Sequence, residues 1–160
     1  RGKHVTGVQT CALPIWIALR SGQIDAFRTM MTGELFAVLR DHSILSAQMV
    51  GDVVADESFA AGVADALDGA DLLASLFGIR ARHLLGGGRS DARYASGLLI
   101  GSDVRTALDG QALGGTVALV GAPALCALYS AALGQAGTVG RVIDGEAAFL
   151  AGIRRITEFL

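Results

Sequence analysis

Cysteine is nearly absent: the chain has two, Cys11 and Cys126, far apart and outside any CxxC or His-paired pattern. That spacing offers neither a zinc site nor a disulfide framework, and a reducing cytoplasm is the expected compartment. Runs of Lys or Arg are missing too, and the net charge is −2. Neither a nucleic-acid nor an anionic-membrane partner is therefore expected. Long apolar runs are also lacking. Residues 110 to 140 carry no formal charge, but Gly114-Gly115, Gly121-Ala122-Pro123 and Gly134-Gln135 interrupt them. A spanning helix needs about 20 mostly apolar residues in succession, so no membrane segment is expected. No basic segment leads into a continuous apolar stretch at the start, which gives no secretory signal to read.

What is present suits one packed domain. The chain has 160 residues, 52% hydrophobic and 18% charged, and a chain of that length buries roughly 70% of its unfolded surface. The opening "VTGVQTCALPI" follows neither helical nor strand periodicity. From Trp16 the pattern becomes regular. "WIALR" and "IDAFRT" flank the polar link "SGQ" as in a β-hairpin. "MTGELFAVLRDH" reads as a helix with Thr32 as N-cap and Glu34 in its first turn. Residues 44 to 55 read as a loop.

Two helices should follow, "DESFAAGVADALDG", stopping at Gly69, and "ADLLASLFGIRARHLL", ending in the Gly86-Gly87-Gly88 connection. A longer helix is expected over roughly 90 to 109, capped by Ser90 or Asp91. Gly97 and Gly101 lie one turn apart on it, and each costs about 1 kcal/mol relative to Ala in a helix interior. Backbone or ligand should approach closely there. The last third alternates strand "TVALV", a helix from Pro123, strand "VGRVI" and a helix from Gly145 to Leu160. Such alternation predicts an α/β layer with a partly parallel sheet.

Four stretches in order, "FRTMMTGEL", "SGLLIGSDV", "VALVGAPALCALYSAAL" and "GEAAFLAGIRRI", resemble the C-terminal half of the 2-dehydro-3-deoxygalactonokinase family. The resemblance runs from Trp16 to the end. It implies an incomplete C-terminal lobe of the ribonuclease-H-like α/β type shared by sugar kinases, actin and heat-shock ATPases. It also implies ATP-dependent phosphorylation, with Mg²⁺, of the terminal hydroxyl of a keto-deoxy sugar acid in D-galactonate breakdown. In that family a Gly-Thr phosphate loop with a nearby Lys precedes the tryptophan, whereas "TCALPI" stands here. Because "VTGVQTCALPI" resembles a translated sequencing-library adapter, residues 1 to 15 are expected to be foreign. The first phosphate loop and the catalytic carboxylate would then lie in an N-terminal half outside this chain.

The resemblance implies nucleotide contacts at Gly121 and Ala122, where a strand opens into a helix whose N–H groups favour phosphate. An ordinary strand-to-helix turn is the plainer account. Gly97 and Gly101 are candidates for lining the nucleotide cleft or, alternatively, for close helix packing, and Gly152 reads as a packing glycine too. On the sugar-acid side stand Arg28, Thr29, Thr32, Glu34 and Arg80. An Arg fork matches a carboxylate; the plainer accounts are a solvated Arg28, helix-start roles for Thr32 and Glu34, and an Arg80 ion pair with Asp71 or a neighbouring acid. His83 reads as a partly buried packing residue and Cys126 as inert core.

Two kinds of function fit this pattern, a kinase half and a non-catalytic α/β domain binding a small ligand or a partner. A kinase half should expose apolar surface at Trp16, Ile17 and the 90–109 helix, where another lobe would dock.

Overall fold

The computed structural model describes residues 14–86, 91–109 and 116–158. The chain begins with a hairpin, β1 (Ile15–Arg20) and β2 (Gln23–Thr29), whose strands pair antiparallel. Its link is only Ser21-Gly22, at φ 52 and 78. Two consecutive positive φ values are what a two-residue hairpin turn with right-handed strand twist requires. Gln23, expected in the link, is instead a strand residue facing Arg20. Pro14 and Ile15 join the hairpin through backbone pairing with Met30 and Thr29.

Helix α1 (Thr32–His42) starts one residue earlier than a Thr32 cap would place it. The capping position is Met31 and no side chain caps the helix, because the Thr32 hydroxyl is turned to Asp103 in a later helix. A buried carboxylate outcompetes the local amide for that hydroxyl. The loop that follows buries Leu45 and Met49. Helices α2 (Glu57–Leu67) and α3 (Leu72–Leu84) begin at Asp56 and Asp71, whose carboxylates accept from Phe59 and Ala74 N–H. At the end of α2, Gly69 N–H and Ala70 N–H bond back to Ala66 and Asp65 carbonyls, with Gly69 at positive φ. This glycine closure stops the helix where the sequence indicated.

Helix α4 (Asp91–Leu108) is the centre of the molecule, with twelve of its eighteen residues buried. Its closest neighbour is α2, and glycines make the approach possible. A Cβ on Gly97 would stand 2.1 Å from the Phe59 carbonyl oxygen, and one on Gly62 2.2 Å from that of Tyr94. A Cβ on Gly101 would meet Ala66 Cβ at 2.8 Å. Ser90, Gly87 and Gly88 lie outside the described residues, as do residues 1–13 with Cys11, residues 110–115 with Gly114 and Gly115, and Leu160.

The C-terminal part is β3 (Thr116–Val120), α5 (Pro123–Gln135), β4 (Val139–Ile143) and α6 (Gly145–Thr157). Strands β3 and β4 are parallel and in register from Thr116↔Val139 to Val120↔Ile143, as the alternation predicted. Over the described residues the molecule is thus mixed α/β, with two two-stranded sheets. Its core has two clusters, one joining α3 and the N-terminal half of α4, the other joining α2, the C-terminal half of α4, β3 and α5. Cys126 is buried in the second. Among the described residues no helix is long and apolar enough to cross a membrane.

Candidate functional site

Two places in this fold gather chemistry. The first is the carboxyl-terminal edge of the parallel pair, where ligands of open α/β sheets bind. Val120 is followed by Gly121-Ala122-Pro123, and Ile143, its partner across the ladder, by Asp144-Gly145. The two turns are neighbours, since a Cβ on Gly145 would lie 4.0 Å from Gly121 N. Ala122 caps α5 with no side-chain hydrogen bond, whereas Asp144 closes α6 by accepting from Ala147 N–H. The first turn of α5 therefore presents its N–H dipoles outward, an arrangement that favours an anion. Gly121 is exposed, has ordinary φ, and a Cβ there would meet only Cys126 Sγ at 3.7 Å. The fold itself makes no demand for glycine at 121; a ligand approaching from outside would.

The second place is a buried carboxylate. Asp103, 1% exposed, accepts from the Trp16 indole N–H at 2.7 Å, the Thr32 hydroxyl at 3.0 Å and the Tyr129 hydroxyl at 2.5 Å. The donors come from β1, α1 and α5, so one side chain of α4 joins three elements. Burial pushes the Asp103 carboxyl above its usual range, against the pull of these three bonds and of the Arg28 charge. Burial and the adjacent carboxylate push the Tyr129 phenol upward. Thr32 and Tyr129 also line a small, mainly apolar cavity of about 140 Å³, with Phe36, Leu99 and Leu128. Ligand pockets run to roughly 300–1,000 Å³, so a nucleotide does not fit inside it.

The sequence candidates fall around these places unevenly. Arg28 lies beside the carboxylate node and donates to the Thr106 carbonyl at 2.8 Å, satisfying an acceptor in the last turn of α4. It is thus anchored rather than merely solvated. Thr29 ends β2 and is exposed, and Glu34 is an exposed acid in the first turn of α1. Arg80 is set apart, on α3, where its Nη1 reaches the Ile44 carbonyl at 3.5 Å. The alternative Asp71 pairing is replaced by the N-cap role of Asp71. Gly97 and Gly101 are pressed against α2 and serve helix packing; the face they would offer a nucleotide is filled. Gly152 has nothing within 4 Å of an added Cβ, so its packing role is corrected: α6 leaves that side open. His83 is exposed rather than packed. Asp103 and Tyr129 were not among the sequence candidates, while Trp16 was read as docking surface and Gly145 only as a helix start. A carboxylate set among the small and apolar residues of Ala95–Val104 was the available signal for Asp103.

Comparison with known proteins decides the lineage. The family model described as 2-keto-3-deoxy-galactonokinase matches residues 9–156. The chain belongs to the 2-keto-3-deoxy-galactonokinase family. It is 36% identical over 143 residues to the 2-dehydro-3-deoxygalactonokinase of Escherichia coli (strain K12), covering 88% of this chain and 49% of that protein. To a candidate of the same name, DgoK1 of Rhizobium meliloti (strain 1021), it is 38% identical over 148 residues, 86% of this chain and 47% of the relative. A crystal structure of a 2-dehydro-3-deoxygalactonokinase candidate from Sinorhizobium meliloti superposes with a TM-score of 0.81 at 35% identity, covering 88% of this chain and 49% of that one. The chain spans about half the length of the curated relatives it matches. The galactonokinase match begins at residue 9, within the stretch 1–15.

Proposed function

We propose that this chain supplies the C-terminal half of a kinase that transfers the γ-phosphoryl of ATP to the terminal hydroxyl of 2-dehydro-3-deoxy-D-galactonate, in the cytoplasm, during D-galactonate breakdown. The observation that carries this is the match to kinases of that name along nearly the whole chain. In this reading the lobe is of the ribonuclease-H-like type, with β3–α5–β4–α6 as its parallel unit. Gly121, Ala122 and the first turn of α5 hold the nucleotide: glycine admits the adenosine, and helix N–H groups face negative charge. Arg28, Thr29, Thr32 and Glu34 form the sugar-acid side, Arg28 offering the guanidinium donors that its bond to Thr106 leaves over. Arg80, on α3, is a more distant candidate for the same acid.

Such a transfer runs on positioning and on stabilising phosphate charge. ATP supplies the phosphoryl group, and Mg²⁺ in such reactions offsets its charge. Among the described residues no group of three or more His, Cys, Asp or Glu is placed to hold a metal. The carboxylate that receives the hydroxyl proton belongs to the other half. Residues 1–15 are foreign in this reading; Pro14 and Ile15 enter the hairpin through backbone pairing, which any sequence supplies. Sequencing across that junction in the source genome tests the point, and a genomic copy retaining the stretch overturns it.

The functional test is a graft in which this chain replaces its matching half of the Escherichia coli relative. The graft should phosphorylate the sugar acid with ATP. A soluble, folded graft that binds neither substrate would return the chain to a role without catalysis.

A further inference from the structure

We infer that Asp103 is a positioning residue that locks the segment Arg28–Thr32 to helix α5 and so sets the sugar-acid side against the nucleotide side; the inference rests on the kinase reading above. The geometry is specific. Asp103 and Thr106 lie one turn apart on α4, and that turn receives Trp16 and Thr32 at the carboxylate and Arg28 at the carbonyl. Tyr129 of α5 donates to the same carboxylate, at the oxygen that Thr32 also reaches. Tyr129 is seven residues from Ala122, about 10 Å along the helix axis, so α5 is a short rigid arm between the node and the open turn at Gly121. The base of the lock is stiff, because α4 is buried and interleaved with α2 through Gly62, Gly97 and Gly101.

An ionised carboxylate is an expensive group to bury, and an apolar side chain of similar volume is often as stabilising. What an apolar residue lacks is the ability to hold three donors from three elements in one fixed arrangement. Phosphoryl transfer depends on that kind of alignment. The bond from γ-phosphorus to the β,γ-bridging oxygen breaks as a bond to the sugar-acid hydroxyl oxygen forms, and that hydroxyl's proton passes to the base. If the acceptor drifts from the donor, water takes its place and yields ADP and inorganic phosphate. Asp103 thus governs where the phosphoryl group goes.

Two readouts test this. In the chain as it stands, Asp103→Asn places an amide donor among three donors, and hydrogen exchange should quicken by about tenfold or more in β1, β2 and the first turn of α1. Exchange in α2 and the α2-facing half of α4 should quicken no more than the accompanying loss of global stability accounts for. Trp16→Phe and Thr32→Val, each removing one donor, should give smaller losses in the same places, which keeps the test decisive if Asp103→Asn unfolds. In the graft with the Escherichia coli half, the sugar acid phosphorylated per ATP consumed should be near one and should fall at least about twofold in Asp103→Asn. Loss of folded enzyme leaves that ratio untouched. Exchange that quickens uniformly or nowhere, or an unchanged ratio, overturns the inference while leaving the kinase reading standing. A parent graft that makes no phosphorylated sugar acid removes the kinase reading and, with it, any part for Asp103 in transfer.

Discussion

At the scale of single residues, Asp103 matters most and was the least legible. Its partners are 87, 71 and 26 positions away in the chain, so no local period or spacing brings them together. Thr32 shows the consequence: its sequence context predicts an N-cap, yet a carboxylate on another helix takes its hydroxyl. Asp103→Asn should lower stability by about 2–3 kcal/mol, since each donor loses a charged acceptor in a buried place; urea unfolding measures it. The pH dependence has a definite sign. Because burial raises the folded-state pKa of Asp103 above the ordinary carboxylate value, the folded state binds the proton more tightly than the unfolded state. Ionisation therefore removes stability as pH rises from the ordinary value of 3.8 through the raised one. The stability gap between the parent and Asp103→Asn should narrow over that window and then level off. A gap that widens with rising pH contradicts the burial argument.

At the scale of elements, much was readable. Strands β3 and β4 coincide with "TVALV" and "VGRVI", and α2 stops at Gly69. These are set by local rules: short β-branched runs, a Pro at the first turn of α5, a glycine able to take positive φ. What local rules omit is which face meets which neighbour. Gly97 and Gly152 looked alike in sequence, each within a stripe of small residues. One is jammed against a backbone carbonyl and the other faces open space. Gly97→Ala should therefore cost about 2 kcal/mol or more, the overpacking exceeding a helix-propensity gain of about 1 kcal/mol. Gly152→Ala should instead stabilise by up to about 1 kcal/mol. Thermal unfolding of the pair measures both, and equal shifts would contradict the packing described for α2 and α4.

At the scale of the whole molecule, the apolar surface lies only in part where the sequence suggested. Helix α4, expected to be open, is the buried axis, because α2, α3 and α5 cover it, and Trp16 is half-buried at Asp103. Ile17 is exposed as expected, on the other face of the hairpin, where it pairs across the strands with Phe27 at 54% and 73% exposure. A second stripe runs along α6 through Phe149, Ile153 and Ile156. Contiguous apolar surface of this kind marks a docking face, and on the chain by itself it should drive association. Replacing Ile17 by Glu and Phe27 by Lys together should reduce the associated fraction in sedimentation while changing stability by less than about 1 kcal/mol.

In the proposed reading, phosphoryl transfer needs two halves, of which this chain is one. The most direct measurement is ³¹P NMR of ATP with 2-dehydro-3-deoxy-D-galactonate, incubated with the chain alone and with the graft carrying the Escherichia coli half. A phosphomonoester of the sugar acid should form with the graft and not with the chain alone. The same ester formed by the unaided chain, or no ester from a folded graft, would contradict the account.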